Sequence, residues 1–217
     1  MRLYVKQMLD WNCYAYFAED VEEEHWEYFK NELWWQIGNN FIKQYDNITN
    51  FEYCAENFRK YGDIAIKQQL KIIPAPWEKA LELLIYEMKI LKIDWYIHGS
   101  TAASLWGIDV LPKDINIIIP NYSDFHRVKE HFFRLAIIPF ERCDNWVMSG
   151  IGTIFMESNI GFAFHNKELE PYDMGRLGKV SYNGENIYIS SLEMLKQDNI
   201  TLKRFDRVKL IEEQNIE

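Results

Sequence analysis

The sequence predicts an α+β fold, and three observations carry the prediction. Amphipathic helical segments alternate with short apolar runs between residues 77 and 136, β-like runs cluster between 137 and 189, and the chain closes on helical periodicity. At 217 residues the chain is long enough for one domain of ordinary size with an extension, or for two small ones. Its 10 Gly and 6 Pro stand against 8 Trp, 13 Tyr and 13 Phe, an aromatic load that buries enough surface to offset chain entropy.

Each element has a local reason. Residues 19–45 open with five acids in six positions and then place Trp26, Phe29, Leu33, Ile37 and Phe41 at three- and four-residue intervals, which predicts a helix with acids at its positive end. Trp34 and Trp35 are expected in the core, an exposed binding surface being the alternative. Residues 50–71 also read as helix, with Phe51, Cys54, Phe58, Tyr61 and Ile66 in loose register, and Pro74 and Pro76 stop it. Residues 1–76 are thus expected to be a helical N-terminal extension packed on a second region, 77–217.

That second region starts with a helix from Trp77, Pro76 preceding it and Leu81, Leu84, Ile85, Met88 and Leu91 forming its apolar side. A buried strand over 93–97 ends in His98-Gly99-Ser100, a short helix over 101–107 is closed by Gly107, and 114–119 forms a second strand ended by Pro120. A helix over 122–136 follows, with Tyr122, Phe125, Val128, Phe132 and Leu135 apolar. Strands at 137–142, 152–157, 160–165 and 186–189 are separated by turns such as Asn183-Gly184, and Ser190 or Ser191 caps the closing helices.

Charge and cysteine usage narrow the function. With 24 basic and 33 acidic side chains the net charge is −9, so the chain lacks a domain-wide positive field for a nucleic-acid backbone. Cys13, Cys54 and Cys143 have no paired spacing and read as small apolar fillers in a reducing compartment. The N-terminus lacks the apolar middle of a signal peptide, and no apolar run approaches the ~18 residues that span a bilayer, so a cytoplasmic location without a membrane is expected.

The chemistry is concentrated in 95–119. Gly99 at a strand end allows a ligand close to the backbone, and the Ser100 hydroxyl with the N–H groups opening the next helix suits a phosphate. Asp114 and Asn116 are two apart on a strand and so share a face, as two side chains must to share a metal ion. By spacing alone, a plain turn and a strand-edge polar pair explain these residues equally well.

The order of these elements resembles the DNA polymerase β-type nucleotidyltransferase superfamily, in particular its small bacterial branch of lincosamide and aminoglycoside adenylyltransferases and antitoxin-like relatives. The match runs from Gly99-Ser100, over 13 intervening residues, to Asp114-Ile115-Asn116, and takes in Gly107 and the helix after the strand. More faintly it reaches Leu192-Glu193, Arg204 and Asp206; it covers roughly 77–217, and residues 1–76 match nothing. The resemblance implies a mixed sheet flanked by helices. It also implies transfer of a nucleoside monophosphate from a nucleoside triphosphate to a small-molecule or protein acceptor, with Mg²⁺ held by three carboxylates.

This chain departs from that pattern. Asn116 replaces the second carboxylate, and the third is expected on 160–165, where Ala163 or a neighbouring Phe stands. Asp114 and Asn116 are the catalytic candidates, with Glu157 as a borrowed metal ligand and His165 as a stand-in base; His98, Gly99 and Ser100 are the nucleotide-binding candidates. Lys113, Arg127, Lys129 and the cluster Lys203, Arg204, Arg207 and Lys209 are candidate phosphate cations, a solvated helix face being the bland alternative. Three readings remain open: a divergent magnesium-dependent transferase, a silent nucleotide-binding or regulatory member of the fold, and a protein-interaction module acting through the extension.

Overall fold

In the computed structural model, residues 1–8, 13–46, 50–142, 148–165 and 174–214 are described. The N-terminal region is a four-stranded antiparallel sheet of β1 (Arg2–Met8), β2 (Cys13–Glu19), β3 (Trp35–Ile37) and β4 (Asn40–Asp46), in the order β1-β2-β4-β3. Only α1 (Trp26–Asn31) and a preceding 3₁₀ turn interrupt it. The helix expected over 19–45 is therefore corrected, and with it the helical character of the extension. The aromatic spacing fits both periods: Leu33 turns to φ +60 and ends α1, and Gly38 with Asn39 joins β3 to β4, so Phe41 enters the core from a strand. The two tryptophans separate, Trp34 being 8% exposed and Trp35 74%.

α2 (Phe51–Gln69) forms as expected and lies between the two sheets, against β1 on one side and against β7 (Ala136–Arg142) on the other. Tyr16 of β2 stacks on Phe58 of α2 with ring centroids 3.8 Å apart, and its hydroxyl donates to the Ile137 carbonyl of β7 at 2.6 Å. One continuous apolar core thus joins both sheets.

The larger sheet has seven strands. β5 (Tyr96–His98), β6 (Asp114–Ile119), β8 (Met148–Met156), β9 (Ser158–His165), β10 (Gly178–Tyr182) and β11 (Glu185–Ile189) join β7 in the order β10-β11-β5-β6-β9-β8-β7. β6 runs parallel to β9 and β11 parallel to β5, the other pairs being antiparallel. β10 escaped the sequence reading because its burial alternates without a fully buried position. α3 (Trp77–Leu91) and α5 (Tyr122–Phe132) both pack on β6, β8 and β9, and Leu81, Leu84, Ile85, Met88 and Leu91 of α3 are buried as their spacing predicts. α6 (Leu192–Thr201), capped by the Ser191 hydroxyl accepting from the Met194 amide, and α7 (Phe205–Gln214) close the chain.

Candidate functional site

The strand–turn–helix at 96–105 positions the site. β5 ends at His98, and α4 (Gly99–Leu105) starts at once, a reversal that needs Gly99 at φ +69, where a side chain is strained. β5 and β6 are antiparallel with His98 opposite Asn116, so the end of β5 and the start of β6 form the floor of one cleft. The Thr101 hydroxyl donates to the Asp114 carbonyl at 2.8 Å and locks α4 to that strand. The cleft encloses about 320 Å³, and His98, Gly99, Ser100, Asp114 and Asn116 all line it.

The carboxylate supply is meagre. The Asn116 amide donates to Asp114 Oδ1 at 3.2 Å, occupying one of its oxygens. The β6–β9 register sets Asn159 opposite Asp114 and Gly161 opposite Asn116, with Ala163 two pairs further along beside Ile118. A Cβ at 161 would approach Asn116 Oδ1 to 3.2 Å, so the asparagine leaves little room for a side chain opposite it. Glu157 is also corrected. It sits at φ +65 in the turn between β8 and β9, pairs with Lys79 at 2.8 Å, and does not line the cleft. The side chain of His165 and all of Cys143 lie outside the described residues.

The walls are basic. Lys113, Arg204 and Arg207 face the cavity, as does Lys71, which follows α2 at φ +60; the acids there are Glu32, Asp114 and Asp198. Four cations against three carboxylates invert locally the sign of a chain whose net charge is −9. Among the described residues no ion pair involves Lys71, Arg204 or Arg207. Arg127 instead pairs with Asp124 at 3.0 Å, and neither it nor Lys129, Lys203 or Lys209 lines the cleft.

Burial pushes the Asp114 carboxyl above the usual carboxylate range, and Lys113, hydrogen bonds from Gln69 and Asn116, and Arg207 pull it back in part. His98 Nδ1 lies 2.8 Å from the Ser190 hydroxyl, and its Nε2 3.6 Å from Asp198, fixing the ring at the cleft edge. Sequence reasoning missed Lys71, Glu32 and Asp198. The first two come from the N-terminal region, and no local motif marks them.

Two divalent ions need several oxygen ligands of negative charge, and the carboxylates lining the cleft are Glu32, Asp114 and Asp198. Asp114 is half-occupied by Asn116, Asp198 lies beside His98, and two arginines and two lysines share the cavity. Among the described residues one trio of acidic or histidine ligand atoms lies within 4.8 Å of one another, Glu22, Glu24 and His25, and none of these lines the cleft.

No protein-family profile matches the sequence, and no curated protein matches it. Solved structures do. A Thermotoga maritima protein provisionally assigned as a nucleotidyltransferase superposes with a TM-score of 0.50 at 18% identity, covering 62% of this chain and 89% of its own. A lincosamide antibiotic adenylyltransferase with lincomycin bound reaches a TM-score of 0.47 at 12% identity, over 62% of this chain and 96% of the other. The enzyme ANT(2″)-Ia, complexed with adenylyl-2″-tobramycin, reaches 0.42 at 13%, over 64% and 92%. The chain has a nucleotidyltransferase fold of the α+β class. No helix of the described residues is long and apolar enough to cross a membrane.

Proposed function

We propose that the chain is a nucleotide-binding member of this fold, holding a nucleoside phosphate in the cleft of β5, α4, β6, α6 and α7 without two-metal nucleotidyl transfer. A single observation carries the reading: the Asn116 amide occupies one oxygen of Asp114, and in the cleft those two residues share, Lys71, Lys113, Arg204 and Arg207 face three carboxylates. The Ser100 hydroxyl, His98 and the basic walls supply what phosphate binding needs, and the apolar side chains of Leu111, Leu195 and Leu202 offer a surface for a base.

Thermal unfolding with ATP, GTP, CTP and UTP, alongside a pyrophosphate-release assay, tests this. At least one nucleotide is expected to raise Tm, because a ligand bound only by the native state must stabilise it, and no pyrophosphate should appear. Silence from all four would remove nucleotide binding. Magnesium-dependent pyrophosphate release abolished by Asp114→Ala would restore the transferase reading.

A second reading, a protein-contact surface on the extension, is favoured by the exposure of Trp35 and Ile37 on β3, the edge of the small sheet, and of Leu33 in the turn before it. A Trp35→Ser, Ile37→Ser variant that sediments and captures partners as the parent does would rule it out.

A further inference from the structure

The basic walls say more than that an anion enters. In a metal-dependent cleft the protein is acidic, because its carboxylates hold cations that in turn hold the phosphates. Here the arrangement is reversed: Lys71, Arg204 and Arg207 carry no ion pair among the described residues, and Arg207 lies close enough to Asp114 to lower its proton affinity. A guanidinium meets phosphate oxygens through paired N–H donors and needs no intervening ion. We infer, on the basis of the nucleotide-binding reading above, that these side chains replace the metals and that the cleft takes a metal-free nucleoside polyphosphate in preference to its magnesium complex.

The geometry gives this a distinctive sign. Asp114 sits in the same cavity as the bound anion and is not neutralised by a metal, so it repels the ligand. Magnesium chelates the triphosphate and removes part of the charge that Arg204, Arg207 and Lys71 would meet. Binding is therefore weakened by magnesium and strengthened by removing the carboxylate, both opposite to the behaviour of a metal-using site. The cations come from two regions, Lys71 from the segment after α2 and the arginines from the segment opening α7, so the site forms only when both pack on the sheet.

Calorimetric titration of the full chain with ATP, and separately with inorganic tripolyphosphate, in excess EDTA and in excess Mg²⁺, tests the inference. Tighter binding in EDTA is expected, with Asp114→Asn increasing affinity and Arg204→Gln or Arg207→Gln each reducing it about tenfold, the loss of one charge-assisted contact. Lys71→Gln should reduce it by a smaller factor, since an ammonium meets phosphate as a point charge without the paired N–H donors of a guanidinium. ATP binding that needs magnesium and is lost in Asp114→Asn would overturn the metal-free reading while leaving nucleotide binding intact. Tripolyphosphate binding without ATP binding would keep the cation site and remove the nucleotide. Failure of both ligands, in a chain whose circular dichroism shows it folded, would remove both.

Discussion

The two sheets are held together by different chemistry. The small sheet relies on rings: Tyr4 stacks on Phe17 at 4.8 Å, Tyr14 on Phe51 at 4.2 Å and Phe29 on Phe41 at 4.9 Å. The centre of the large sheet relies on branched aliphatics, with Ile97, Ile115, Ile117, Ile119, Ile154 and Ile160 fully buried. An aliphatic run of four to six residues declares itself as a strand, and a polar residue inside it stands out as a site candidate. Rings at intervals of three or four serve either a helix or a strand, so they leave the element undecided. The difference also separates roles, since the aliphatic sheet carries the floor of the cleft and the aromatic one braces it from behind.

The largest test of this contrast is Tyr16, the ring that ties the small sheet to both α2 and β7. Tyr16→Ala is expected to cost about 3–5 kcal/mol in urea unfolding, and Tyr16→Phe about 1 kcal/mol for the lost bond to Ile137. An alanine cost below that of phenylalanine's single bond would show that the small sheet is not energetically joined to the rest. Next comes Thr101→Val, which removes the donor to a part-buried Asp114 carbonyl and should cost about 1 kcal/mol while barely changing the small sheet's amide exchange.

A smaller effect of opposite sign is expected at Asp114. Its carboxyl titrates higher in the folded chain than in the unfolded one, so the ionised form is a burden at neutral pH that protonation relieves. Asp114→Asn should raise Tm at pH 7, and the gap from the parent should close as pH falls through the raised value; a constant gap, or a loss at pH 7, would contradict that account. Lys79→Met is the least consequential, worth under about 1 kcal/mol because its pair with Glu157 is solvent-exposed. It should leave the response to nucleotide unchanged, as expected of a turn outside the cleft.

How much of this was legible in the sequence follows the same divide. β6 begins and ends where Asp-Ile-Asn-Ile-Ile-Ile and Pro120 place it, and His98, Gly99, Ser100, Asp114 and Asn116 do meet in one cleft, because each is fixed by a short strand and a local turn. Arg204, Arg207 and Lys113 were visible as candidates but not separable from Arg127 and Lys129, since helix-face charge looks alike wherever the helix packs. Glu32 and Lys71 reach the cleft through the docking of the small sheet and α2, a long-range contact with no local signature. Gly161 was hidden by strand register, since the pairing partner of Asn116 depends on where β9 aligns and not on its composition.

One backbone detail sets stability against the charge of the cleft. Lys71 ends α2 in the left-handed region, a position where glycine would relieve about 1 kcal/mol of strain. An engineer seeking a higher melting point would choose Lys71→Gly, and would at the same time delete a charge from the cleft. The chain places lysine at its helix stop, so backbone strain and the charge of the cleft are set by the same residue.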